Sequence, residues 1–164
     1  MGPIVIRDAI EADARAIHEM VVALAGEIGK ADAVTSEPEA IRRHGFGAER
    51  AFEALIAERD GRPVGLALYF YEFSTWRGRR GVYLQDLFVA KEVRASGVGK
   101  RLVAALAERA AGRGADYMKL AVEATNHSAA MFYKGLGFEE RTSERTFVLA
   151  DGAFHVLATN SGRP

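Results

Sequence analysis

The stretch VYLQDLFVAKEVRASGVGKRLVAALAERAAG, Val82 to Gly112, changes its hydrophobic period half-way along. From Val82 to Val89 it is dense in β-branched, aromatic and aliphatic residues, as a buried strand is. From Val98 onward the apolar residues Val98, Leu102, Val103, Leu106 and Ala110 fall on one helical face. Between the two periods lies Arg94-Ala95-Ser96-Gly97-Val98-Gly99-Lys100, which puts two glycines where the helix must begin. A glycine inside a helix costs about 1 kcal/mol relative to alanine, but it leaves the backbone open to a ligand. The first amides of a helix lack intrahelical acceptors and the macrodipole is positive there, so the guest that suits such a turn is an anion such as phosphate.

For an isolated G-x-G the alternative is a tight turn with no ligand. Here Arg94 before the turn, with Lys100 and Arg101 after it, gathers positive charge around the free amides and favours the anion. A nucleoside triphosphate loop, GxxxxGK[ST], does not fit, because Arg94 occupies its first glycine position and Arg101 its last. A dinucleotide fingerprint needs a third glycine where Leu102 stands.

The pattern [RQ]xxGx[GA], met by Arg94, Gly97 and Gly99, resembles the pyrophosphate loop of the GNAT family of acetyl-CoA-dependent N-acetyltransferases. Leu84-Gln85-Asp86-Leu87-Phe88-Val89 is similar to that family's central strand. Asn126, followed by Phe132-Tyr133-Lys134-Gly135-Leu136-Gly137-Phe138, resembles its FYxxxGF signature. Three pieces in the right order make the resemblance specific. The lead-in Tyr71-Glu72-Phe73-Ser74-Thr75-Trp76 is similar to the diamine and thialysine acetyltransferase branch. The resemblance implies a mixed α/β fold in a single domain over residues 1–164. Its central, mostly antiparallel, twisted sheet would have six to seven strands flanked by about four helices. That sheet would splay between the central strand and the strand after the loop helix. Homodimers are common in the family, which adds a homodimer to the expectations.

Bulk properties agree with one core. The 164 residues are 49% hydrophobic and 27% charged, ordinary values for a globular domain. Twenty-two basic residues balance twenty-two acidic ones, so no general field exists to hold nucleic acid or an anionic membrane. There is no cysteine, which excludes both a disulfide and a cysteine acyl-enzyme and leaves direct transfer as the simplest route. No apolar run approaches the roughly 20 residues of a membrane span and no signal-peptide pattern opens the chain, so a cytoplasmic protein is expected.

Ile4 to Arg7 suits a first strand. Asp8 and Glu11 have the spacing of a capping pair ahead of a helix from about Glu11 to Gly29. Ser36-Glu37-Pro38-Glu39 predicts a second helix to about Arg43. The resemblance sets this pair on the acceptor side; Glu27 and Asp32 there read as solvated surface carboxylates, contact with a cationic substrate being the alternative. Phe52 to Glu58 and Val64 to Phe73 read as strands joined at Asp60-Gly61. Tyr117 to Glu123 reads as the strand after the central helix. Asn126 stands at an N-cap position before a short helix from Ser128 to Leu136, ended by Gly137. Arg145 to Leu149 and Phe154 to Ala158 surround a second Asp-Gly, predicting a terminal hairpin or a strand and a short helix. Residues 160–164 read as a loose tail.

Acyl transfer from a thioester to an amine needs a held donor, a polarised carbonyl, a neutral amine and a proton for the departing thiolate. The resemblance gives the diphosphate of CoA to Arg94, Ala95, Ser96, Gly97, Val98, Gly99 and Lys100. It gives the pantetheine arm and thioester carbonyl to backbone groups of Leu87, Phe88 and Val89, one amide serving as oxyanion donor. Asn126 contacts the cofactor, caps its helix, or does both. Tyr133 is the cofactor-side general acid: a phenol, with a reference pKa of about 10, stays protonated where a thiol of about 8.5 needs its proton. Gln85 stands where the polyamine branch has a glutamate, and it neither takes a proton nor attracts a diamine by charge. Asp86 is the candidate to bind an ammonium or relay a proton, with Glu123 the second candidate. The four histidines are scattered, so no metal is expected. The leading expectation is an enzyme moving acetyl from acetyl-CoA to a primary amine of a small molecule such as a polyamine or amino acid. Acetylation of a protein N-terminus or lysine, and a CoA-binding module without turnover, are the alternatives.

Overall fold

The computed structural model of the chain describes residues 2–159, and the tail expected at 160–164 lies outside them. Contacts gather into two units divided between His127 and Ser128. The first contains β1 (Ile4–Asp8), α1 (Ala14–Glu27), α2 (Pro38–Phe46), β2 (Glu53–Arg59), β3 (Arg62–Ser74), β4 (Arg79–Val89), α3 (Val98–Gly112) and β5 (Ala115–Lys119). A helix α4 (His127–Gly135) begins at the division, and α5 (Asp151–Thr159) lies in the second unit.

The strands form one sheet in the order β1-β2-β3-β4-β5, with β1 to β4 antiparallel and β5 parallel to β4. β2 and β3 join through Asp60 and Gly61 at φ +51° and +74°, the left-handed pair that a two-residue hairpin turn demands. On one face, Ile17 and Met20 of α1 pack on Ala54, Ile56, Leu66, Leu68 and Phe88. On the other, α3 buries Leu102, Leu106 and Ala110. The approach of α3 needs a bare backbone at Gly65, where a Cβ would stand 3.1 Å from Leu102 Cδ1 and 3.2 Å from both Ala57 Cβ and the Phe88 carbonyl. Gly65→Val is therefore expected to lower stability by about 1–3 kcal/mol, read from urea denaturation midpoints.

β4 does not alternate uniformly. Leu68 pairs with Asp86 while Tyr69 pairs with Leu84, so Gln85 is an extra residue that forms a β-bulge. The bulge shifts the parity of the strand. Val82 and Leu84 lie on the α3 face, whereas Tyr83, Asp86 and Phe88 share the α1 face. Tyr83 stacks there on Phe70 with ring centroids 5.1 Å apart.

β5 pairs with β4 only at Arg80–Ala115, Val82–Met118 and Tyr83–Lys119, and then the strands part. The expected splay is thus present beside the C-terminal half of β4.

Element counts and several boundaries differ from the expectations. The sheet has five strands rather than six or seven among the described residues, and the described helices number five. Arg145 to Leu149 forms no strand, whereas the short helix of the second alternative is present: the second Asp-Gly opens α5 rather than a hairpin, with the Phe154 amide donating to the Ala150 carbonyl at 3.3 Å. A short run can satisfy its backbone by such local bonds, whereas a strand needs a neighbour. α1 starts after a 3₁₀ turn at Glu11–Asp13, and Asp13 replaces the expected Asp8–Glu11 pair by accepting from the Ile10 amide at 2.8 Å. Arg7 grips the same carboxylate at 2.7 and 3.0 Å and holds it below the usual carboxylate range. β5 ends at Lys119, short of Glu123, because pairing with β4 stops there.

Candidate active site

The turn between β4 and α3 is shaped by two residues in the left-handed region, Ala95 at φ +61° and Gly97 at φ +79°. Ser96 Oγ, between them, donates to the Val93 carbonyl at 2.6 Å and pins the turn to a buried residue. The left-handed region costs a non-glycine residue about 1–2 kcal/mol, and nothing in the sequence signals that Ala95 adopts it. The first helical bond of α3 runs from the Arg101 amide to the Gly97 carbonyl at 3.0 Å, so the amides of Val98, Gly99 and Lys100 precede the ladder and are available to an anion. No atom lies within 4 Å of where a Gly97 Cβ would sit, so the space above the turn is open. Gly97→Ala is expected to cost about 1 kcal/mol from backbone conformation alone, measured by denaturant unfolding.

Backbone direction along β4 follows from one bond. The Ala90 amide donates to the Val64 carbonyl at 2.9 Å, toward β3, so by alternation Phe88 also directs its amide and carbonyl to β3. Leu87 and Val89 direct theirs to the opposite edge, where β5 has parted. The Val89 carbonyl confirms that direction by accepting from Arg94 Nε at 2.9 Å. Of the three backbone candidates, Leu87 and Val89 face the open edge and Phe88 does not. The turn thus leaves helix-start amides free, and beyond Tyr83 the edge of β4 carries backbone groups that β5 does not pair.

Asp86 lies half-buried on the α1 face, and burial raises its carboxyl above the usual carboxylate value. Among the described residues no ion pair or hydrogen bond holds that carboxylate. Gln85, extruded by the bulge, is exposed. Glu123 is bound by Lys30 and Glu27 by Arg94, both pairs at the exposed surface. Asn126 immediately precedes α4, and its amide donates to the Glu123 carbonyl at 2.8 Å.

The FYxxxGF signature has a local geometric meaning. Gly137 at φ +94° ends α4, the Phe138 amide reaching back to the Tyr133 carbonyl at 3.1 Å and the Gly137 amide to that of Lys134 at 3.0 Å. These are the two bonds of a Schellman cap, and Tyr133 and Phe138 supply its apolar contact with rings 5.5 Å apart. The half-buried Tyr133 is thus held by the helix end itself.

The stacked Phe70 and Tyr83 on the Asp86 face escaped the sequence reading. Period-2 patterning would have placed Tyr83 opposite Asp86, and only the bulge unites them.

Residues 17–138 match the Acetyltransferase (GNAT) family. Over 150 residues the chain is 35% identical to the thialysine N-epsilon-acetyltransferase of Bos taurus, covering 87% of this chain and 88% of that one. It is 37% identical to that of Sus scrofa over the same shares. An integron cassette protein from the mobile metagenome of V. cholerae superposes with a TM-score of 0.79 at 19% identity, over 94% of this chain and 97% of its own, which speaks to the fold. Sheet, turn and relatives together define an acetyl-CoA-dependent N-acetyltransferase. The chain belongs to the Acetyltransferase (GNAT) family.

Proposed function

We propose that this enzyme acetylates a primary amine of a small cationic molecule, with amino acids bearing a side-chain amine, such as thialysine, ahead of long polyamines. The observation that carries this reading is Asp86, a half-buried carboxylate without a cation beside it on the face covered by α1 and α2. Such a group lacks the counter-charge that an ammonium would bring. The likeness to thialysine acetyltransferases over most of the chain supports the substrate class. The neutral Gln85 supports the preference for a substrate with less positive charge than a polyamine. The family match runs across the division at His127, which supports one working domain.

Acetyl-CoA, when bound, supplies the activated acetyl group and the thiolate leaving group. The amides of Val98, Gly99 and Lys100 with Arg94 hold its diphosphate, and the Leu87 and Val89 edge takes the pantetheine amides. The Val89 amide polarises the thioester carbonyl. Asp86 draws in the ammonium and takes its proton, directly or through water, leaving the neutral amine to attack. Tyr133 donates a proton to the departing sulfur and is reprotonated by the second proton that the attacking nitrogen sheds as the amide forms, and Asn126 supports the cofactor while capping α4.

Release of CoA thiol, followed with thialysine, lysine, ornithine, polyamines, aminoglycosides and N-terminal peptides, tests the reading. Highest kcat/KM on a small diamino acid is expected. Preference for peptides would replace it with protein acetylation, and CoA binding with no release from any acceptor would replace it with a binding module.

A further inference from the structure

The end of α1 is tied to both sides of the gap in the sheet. β4 and β5 stop pairing at Tyr83 and Lys119, after which one side runs to Val89 and Arg94 and the other to Glu123. Arg94 is fixed to the β4 side by its bond to the Val89 carbonyl, and its other arm pairs with Glu27 in the last turn of α1. Three residues on, Lys30 pairs with Glu123. Glu27 and Lys30 are held relative to one another by a Schellman cap. Gly29 is at φ +71°, the Lys30 amide donates to the Ala25 carbonyl at 2.8 Å, and the Gly29 amide to the Gly26 carbonyl at 3.1 Å. A stiff helix end therefore carries one charge of each sign, and each grips a different lip of the splay. All four side chains are partly exposed, so both pairs are weak enough to open.

We infer that residues 27–30 are a clasp over the donor cleft: Glu27 occupies the Arg94 guanidinium until the diphosphate of CoA takes it, while Lys30 and Glu123 hold the lips together. The inference rests on the reading of the β4–α3 turn as the diphosphate site. Glu27 and Lys30 are positioning residues, acting on donor entry and exit rather than on the reacting atoms. A carboxylate that competes with an anion for one guanidinium weakens that anion's binding, so the clasp trades donor affinity for exchange.

Calorimetry and stopped-flow binding of CoA to the full chain test it. Glu27→Gln is expected to tighten CoA about 3- to 10-fold at low salt, with the gain shrinking as ionic strength rises. Binding of pantetheine, which lacks the diphosphate, is expected to stay unchanged. Lys30→Gln is expected to raise both kon and koff several-fold, and the charge swap Lys30→Glu with Glu123→Lys to return them toward the parent values. Glu27→Ser repeats the first arm without a new amide, and thermal melting verifies folding of every variant. Glu27 variants that bind CoA no tighter, or that tighten pantetheine equally, overturn the role of Glu27. Unchanged rates in Lys30→Gln overturn the clasp. Failure of the parent protein to bind CoA at all would instead remove the donor site itself.

Discussion

Tyr133→Phe is expected to lower kcat by about 10²–10⁴-fold while leaving the Kd for CoA within a factor of about two, the range for loss of a general acid. The phenylalanine ring keeps the contact with Phe138 and the neighbouring Phe132, and the cap bonds use the backbone of residue 133, so α4 is retained. The substitution removes the phenolic hydroxyl and keeps the ring. Steady-state thiol release at saturating acceptor, with calorimetry on CoA, measures both numbers. A variant with undiminished kcat would take Tyr133 out of the mechanism. One that lost CoA affinity in proportion would reassign it to binding.

Asp86→Asn is expected to reduce kcat/KM for a cationic acceptor by about 100-fold or more, since it removes both the charge that draws in an ammonium and the acceptor for its proton. The pH profile carries the sign. Burial raises this carboxyl, so the fraction ionised, and with it the rate, climbs with pH through a window above the ordinary carboxylate range; the variant loses that limb. Stability moves the other way. A carboxyl raised in the folded state binds its proton more tightly there than in the unfolded chain, so parental stability falls as pH rises through the folded pKa. At neutral pH the asparagine lacks that penalty and the melting temperature is expected to rise while activity falls. A rate unchanged by the substitution, or a profile that keeps its acid limb, would place the base elsewhere.

The legible parts of the site are those written in short-range pattern. Gly97 and Gly99 at the change of period mark the strand, the turn and α3, since helix starts and glycine turns are set by neighbouring residues. FYxxxGF was legible for the same reason: Tyr133, Gly137 and Phe138 make one local cap. Asp60-Gly61 made the hairpin it promised. The same dipeptide at Asp151-Gly152 did not, because a hairpin also needs two strands and the residues after it close a helical turn instead.

Other features depend on through-space registry. Nothing in Val82 to Val89 announces that Gln85 is extruded, yet that single extra residue turns Asp86 toward α1 and brings Tyr83 onto Phe70. Glu27 read as a solvated carboxylate or an acceptor contact, and it became the partner of Arg94, sixty-seven positions away. By itself the sequence determined the family, the strand-turn-helix that exposes amides at Val98 to Lys100, and the capped helix carrying Tyr133, all products of local backbone preference. Tertiary structure alone decided which face Asp86 takes, where β5 leaves β4, and what holds the end of α1. Those outcomes follow from strand pairing and ion pairing between segments far apart in the chain, which no local pattern encodes.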